Sequence, residues 1–242
     1  MVTVVQGKLG SGKSYDMVRT MVQHVLRGGA VRTNIRLDYA QIGRHYHRRL
    51  SSWQVGTLSE KDDPALIPTG DRRGHGKRRV LVVLDEALNW FESKGGKDDD
   101  RRSTWGRWLR QSDKLGQDVF FIAQDFNRAA KWIRELAAQC VEMVPFKGVS
   151  WLGIPWGQLP GLRCIYSRRV WDVRTKEVLS WCLHRYSAEY WQFYDTAETF
   201  GFEGSANVYE QGVVFPRHRS TVFWPAVGLL SCVSTGVACV CV

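Results

Sequence analysis

The eight residues Gly7-Lys8-Leu9-Gly10-Ser11-Gly12-Lys13-Ser14, set directly behind Val2-Thr3-Val4-Val5-Gln6, constrain this chain more than any other stretch. They fit the pattern G-x-x-x-x-G-K-[ST], and each fixed position has a physical task. Glycines let the backbone turn sharply and bring N–H groups close to phosphate oxygens, because no Cβ stands in the way. Lys13 is placed to set its ammonium on β- and γ-phosphates, and Ser14 to offer a hydroxyl to Mg²⁺. Residues 15–26 read as a helix whose positive dipole end faces the same anion. The run from Gly7 through Tyr15 is therefore expected to hold ATP. A glycine turn that matches by chance is the plain alternative, and the order of strand, loop and helix speaks against it. The β-branched run starts at Val2, which leaves no room before it for a signal peptide.

A second apolar run, Val80-Leu81-Val82-Val83-Leu84, has the character of a strand buried on both faces of a parallel sheet, and it ends in Asp85-Glu86. Asp85 at the carboxyl end of such a strand is expected to hold Mg²⁺ directly or through water, with Glu86 orienting the water that attacks the γ-phosphate. A third strand, Val119-Phe120-Phe121-Ile122-Ala123, delivers Gln124 to the same edge. In open α/β sheets ligands sit outside the carboxyl ends of the strands. Gln124 there either touches the γ-phosphate and its water or simply meets solvent. Helical patterns flank this strand at 105–115 and 127–139, the latter with Ala129, Ala130, Ile133, Leu136 and Ala137 on one face. The alternation predicts an α/β fold with a mostly parallel, doubly wound sheet.

Between the motifs lie two charged excursions, 43–79 with its His45, Arg48, Arg49, Arg72, Arg73 and Arg79, and 92–103 with GGKDDDRR. Both read as surface loops, and the first is also suited to track a nucleic-acid backbone. His45-x-His47 has no further ligand spaced to complete a metal site. Beyond about residue 140 the chain turns strand-rich, at 140–145, 163–173 and 178–186, with Arg174-Thr175-Lys176 as a hairpin connection. The intervening GVSWLGIPWGQLPG is either a subunit contact, an interfacial loop near lipid, or packing for the domain itself.

The formal charge of +10 favours contact with polyanions without choosing among nucleic acid, nucleotide and an anionic membrane. Six cysteines without C-x-x-C spacing read as free thiols in a reducing compartment. Residues 222–242, VFWPAVGLLSCVSTGVACVCV, carry no charge, and about twenty such residues suffice to cross a bilayer as a helix. Arg217-His218-Arg219 stands before them as a basic flank of the kind held in the cytoplasm. The expected organisation is a cytoplasmic P-loop domain at 1–204, a basic juxtamembrane segment at 205–221 and one transmembrane helix at 222–242. A buried core helix is the alternative for the tail.

GKLGSGKS close behind Met1, VLDEA, a strand ending in Ala123-Gln124, Tyr194-Asp195-Thr196, and an apolar tail behind a basic flank together resemble the zonular occludens toxin-like proteins, the gene I assembly proteins of filamentous phages. The resemblance runs over essentially the whole chain. It implies an inner-membrane ATPase of the bacterial host, related to the ring-forming FtsK and HerA motors, that powers extrusion of single-stranded DNA as coat protein assembles around it. The partners so implied are further copies of the chain in a ring, with a hexamer as one option, together with phage coat protein, single-stranded DNA and inner-membrane lipid. Carried over, the nucleotide residues are 7–14, Asp85, Glu86 and Gln124. Family members show a basic pair before the glutamine strand where this chain reads Gln111-Ser112-Asp113-Lys114, so the arginine acting in trans falls first to Arg110 and then to Arg107. Such proteins also carry a periplasmic segment after the span, which these residues do not include. A P-loop kinase or nucleotidyl enzyme acting on a small molecule is the competing reading.

Overall fold

The computed structural model describes residues 1–59, 62–71, 79–86, 99–128, 131–146 and 164–194. An eight-stranded sheet carries them. Its strands in chain order are β1 (Val2–Gln6), β2 (Ala30–Thr33), β3 (Val55–Thr57), β4 (Val80–Asp85), β5 (Gln117–Ala123), β6 (Gln139–Pro145), β7 (Ile165–Asp172) and β8 (Val178–Arg185). In space they run β3-β2-β4-β5-β1-β6-β7-β8, parallel as far as β6 and antiparallel from there to β8. The helices are α1 (Lys13–Leu26), α2 (Tyr39–His45), α3 (Asp99–Gln111), α4 (Lys131–Leu136) and the single turn α5 (Ala188–Trp191). This is the α/β P-loop arrangement with a mostly parallel sheet that the sequence predicts.

The register decides where the site can be. Gln6 is level with Ala123, and Asp85 with Ile122, so the P-loop, the Asp85-Glu86 pair and Gln124 all leave the sheet at one edge. β5 separates β1 from β4, and the two motifs face each other across that single strand. Side chains alternate across the pleat, so each strand feeds both faces. Val5, Val31, Leu81, Val83 and Ile122 pack under Met17, Val18, Met21 and Val22 of α1. Val4, Val82, Leu84 and Phe121 pack on the other face under Trp105, Trp108 and Leu109 of α3 and Ile133 of α4. Helices on both faces account for the near-continuous apolar reading of β4.

Several expected boundaries move. The helix expected at 105–115 is α3, which starts at Asp99 inside the charged excursion and stops at Gln111. The stretch from Asp99 to Thr104 contains no apolar residue, so periodicity is silent there. The helix ends early because the chain must turn into β5. Gly116 adopts φ +68°, and a Cβ on it would meet the Gly70 carbonyl at 2.5 Å. Of the helix expected at 127–139 the described residues show a 3-10 turn at Phe126–Arg128 and the short α4, which stops before Gln139 because Gln139 pairs with Thr3 in the sheet; Ala129 and Ala130 lie outside the described residues. The excursion at 43–79 is not all loop. It holds the end of α2, β3 and a 3-10 turn at Pro64–Leu66.

The hairpin at 174–176 forms as expected. Asp172 Oδ1 accepts from the N–H groups of Arg174 and Thr175 at 2.7 and 2.9 Å, and Lys176 takes φ +62°. Cys140, Cys164 and Cys182 are free. Among the described residues no group of three or more His, Cys, Asp and Glu gathers as a metal site, and His45 instead meets Glu189. The tryptophan-rich loop, Asp195-Thr196, the basic flank and the tail at 222–242 lie outside the described residues. Among the described residues, no helix is long and apolar enough to cross a membrane.

Candidate functional site

The loop after β1 is shaped by what its glycines permit. Gly12 holds φ +84° as the cap of α1, and as a glycine it places no side chain over the first N–H groups of that helix. Those N–H groups point along the positive end of the helix dipole, where an anion is favoured. At Gly7 a Cβ would lie 2.5 Å from Ser11 Oγ and 2.7 Å from the Met143 carbonyl, so the loop closes only with glycine there. Within the loop, the Ser11 N–H donates to the Lys8 carbonyl at 3.0 Å. Lys13 curls back over it, with Nζ donating to the carbonyls of Gly7 at 2.7 Å and Lys8 at 3.1 Å. Burial draws the Lys13 pKa below that of a free lysine, while the carboxylates of Asp85 and Glu86 push it back up. Lys8, Leu9 and Gly10 are exposed at the rim.

Ser14 and Asp85 meet at the foot of the loop, where the hydroxyl donates to Asp85 Oδ2 at 2.8 Å. Desolvation pushes the Asp85 carboxyl up to about 6; the Ser14 hydrogen bond and the Lys13 charge oppose this, and neighbouring Glu86 adds to it. A hydroxyl and a carboxylate are hard oxygen donors of the kind Mg²⁺ takes at phosphate sites, where one or two protein oxygens suffice. Asn34, which follows β2, fixes the main chain here. Its Nδ2 donates to the Asp85 carbonyl and its Oδ1 accepts from the Asp85 N–H, both at 2.7 Å. Glu86 then takes φ +51°, a left-handed backbone that a glutamate adopts only under constraint. The constraint turns the chain sharply at the residue whose carboxylate is expected to direct water.

Gln124 follows β5 directly and is exposed at this same edge. The turn after it is held by Gln6, whose Oε1 accepts from the Phe126 N–H at 2.9 Å. Arg107 and Arg110 are exposed on α3, on the side away from Trp105, Trp108 and Leu109. Asp113, one turn beyond Arg110, pairs with Arg79 at 2.9 Å and with the amino group of Met1 at 3.6 Å, both at the amino ends of strands. Arg110 thus sits toward the edge opposite Lys13, and the fold does not bring it to the loop of its own chain.

The Tyr15 side chain is packed into the domain. Its ring is 1% exposed, covered by Tyr186, Tyr190 and Trp191 at centroid distances of 5.0, 6.0 and 4.9 Å. Its hydroxyl accepts from the Ser187 N–H at 2.6 Å. Only the Tyr15 main chain remains for a ligand. The next residue, Asp16, accepts from the Tyr166 hydroxyl at 2.7 Å and pairs with Arg168 at 3.3 Å, which ties α1 to β7. Tyr194 bridges to Leu37 and stacks on Trp191 at 5.8 Å; burial raises its phenol pKa, and Tyr15 and Asp85 add to the effect. Asn34, Tyr186 and the environment of Tyr194 are what sequence reasoning missed. Only Tyr194 carried a signal, as part of Tyr194-Asp195-Thr196.

A family model described as zonular occludens toxin (Zot) matches residues 1–154. The chain belongs to the Zot family. The matched stretch takes in the phosphate loop, Asp85, Glu86 and Gln124, and ends before β7. Among curated relatives, the Gene 1 protein of Enterobacteria phage I2-2 is 34% identical over 143 residues, 58% of this chain and 39% of that protein. The Gene 1 protein of Enterobacteria phage M13 is 27% identical over 170 residues, 66% of this chain and 48% of that protein. The chain spans less than half the length of these relatives. The crystal structure of the N-terminal domain of zonular occludens toxin from Neisseria meningitidis is similar with a TM-score of 0.47 and 16% identity, over 80% of this chain and 98% of that one.

Proposed function

We propose that this Zot-family chain is an ATP-hydrolysing motor subunit that powers assembly and extrusion of filamentous phage through the host inner membrane. The observation that carries the reading is the 2.8 Å bond from Ser14 to Asp85, which joins the phosphate loop to the acidic end of β4 across one intervening strand. Each residue then has a task. The N–H groups of residues 7–15 and the Lys13 ammonium bind the phosphates. Mg²⁺ held by Ser14 and Asp85 would neutralise phosphate charge. Glu86 orients and polarises the attacking water, and Gln124 stands where it senses the γ-phosphate. Catalysis of this kind rests on positioning and electrostatics.

Arg110, remote from its own loop, is assigned to the nucleotide of the next subunit, with Arg107 as the second choice. That assignment makes the protein a ring-forming homo-oligomer. Residues 222–242 anchor it as a single span, with the domain at 1–204 in the cytoplasm and 205–221 on the anionic surface. Coat protein and single-stranded DNA are its cargo. The kinship with Gene 1 proteins supports the phage setting, and the chemistry rests on the site.

The test is ATP turnover by the full chain in nanodiscs across a range of protein concentrations. Turnover per subunit that rises with concentration and plateaus, together with Mg²⁺ dependence, supports the ring motor. Turnover that needs a small-molecule phosphate acceptor and ignores concentration would replace it with a monomeric kinase.

A further inference from the structure

We infer that Tyr186 is a positioning residue for the phosphate loop, holding the Ser11–Gly12 peptide so that the Gly12 N–H faces the bound phosphates. This rests on the nucleotide reading above and deepens it. Tyr186 follows β8, far outside the loop in sequence, and its own N–H is held by the Cys164 carbonyl at 2.7 Å. Its hydroxyl donates to the Ser11 carbonyl at 3.0 Å. In a planar trans peptide the C=O and the next N–H point in opposite directions. A Ser11 carbonyl drawn outward to Tyr186 therefore turns the Gly12 N–H inward. Gly12 is the left-handed cap of α1, so the orientation of this peptide also sets the entry to the helix whose first N–H groups complete the cradle.

The phenol is itself fixed. Its ring packs edge-on to Tyr15 at 5.0 Å and tilted against Tyr166 at 4.6 Å, and its edge fills the space that a Cβ on Gly12 would need. Ser11 is fully buried, and among the described contacts its Oγ has no hydrogen-bond partner that could hold the peptide instead.

The experiment is calorimetric titration of the full chain in nanodiscs with Mg²⁺–ATP and, separately, with inorganic tripolyphosphate. Tyr186→Phe keeps the ring and removes the donor. Tyr166→Phe, which removes a hydroxyl bonded to Asp16 rather than to the loop, sets the loss that a purely structural change produces. The expected result is that Tyr186→Phe weakens both ligands by the same factor, on the order of fivefold for one hydrogen bond, beyond any loss in Tyr166→Phe. Unchanged affinities, a loss no larger than that of Tyr166→Phe, or a loss confined to ATP would each overturn the inference. A wild-type chain that binds neither ligand would overturn the nucleotide reading itself.

Discussion

Asn34 grips the main chain of Asp85 from both sides, its amide donating to the Asp85 carbonyl and accepting from the Asp85 N–H at 2.7 Å each. This pair of bonds ties the end of β2 to the end of β4 and sets the angle at which the chain leaves the sheet into Glu86. Asn34→Ala is expected to cost about 1–3 kcal/mol of stability, the sum of two ordinary hydrogen bonds. Turnover should fall further than stability alone explains, because Glu86 loses its bearing. Denaturant unfolding and Mg²⁺-dependent hydrolysis, measured side by side, check both. Asn34→Asp keeps the acceptor but not the donor, and should rescue neither.

Asp85 gives the protein a specific pH response. Burial raises its carboxyl pKa to about 6, against about 3.9 for a free aspartate. Between those values the folded state binds more protons than the unfolded one. The contribution of this carboxyl to stability is therefore greatest below the lower value and is lost as pH rises through about 6. Asp85→Asn should raise the unfolding midpoint of the nucleotide-free chain at pH 8 and leave it nearly unchanged at pH 4. Catalysis runs the other way, because Mg²⁺ takes the carboxylate. Hydrolysis should decline below pH 6 and be absent in Asp85→Asn at every pH.

The most constrained part of the site was the easiest to read from sequence. An apolar run that ends in a glycine loop, and another that ends in two acids, announce buried parallel strands with ligand groups at their carboxyl ends, and the register of Gln6, Asp85 and Ala123 agrees. What stayed hidden lacks local periodicity. β2 is only Ala-Val-Arg-Thr, too short to show a pattern, so Asn34 behind it looked like any polar loop residue. Tyr186 reaches Ser11 across 175 positions, through an antiparallel extension of the sheet that no spacing rule encodes. Helix ends depart from the apolar periodicity where charge replaces it, as at the start of α3, or where Gly116 forces a turn.

Arg110 makes the assembly testable. Arg110→Ala and Glu86→Gln proteins are each expected to be inactive alone, one lacking the charge supplied to a neighbour and the other the group that directs water. Mixed before assembly, they should recover turnover, because some interfaces then join an intact Glu86 to an intact Arg110. An arginine supplied in trans contributes roughly 10³ to 10⁵ in rate in nucleotide hydrolases, so even rare repaired interfaces rise above background. If the mixture stays inactive while crosslinking shows co-assembly, Arg110 is not that residue, and Arg107→Ala takes its place in the same test.

ATP bound on the loop at residues 7–15 and hydrolysed by water that Glu86 directs places binding and turnover on different residues, so a paired measurement separates them. Equilibrium ATP binding and steady-state turnover are measured on the same preparations of wild type, Lys13→Ala and Glu86→Gln. Lys13→Ala should lose binding and turnover together. Glu86→Gln should bind ATP as wild type does and lose turnover on the order of a hundredfold or more, as expected when a positioned base is removed. A Glu86→Gln protein that hydrolyses ATP at the wild-type rate, or a Lys13→Ala protein that binds it undiminished, would contradict the account.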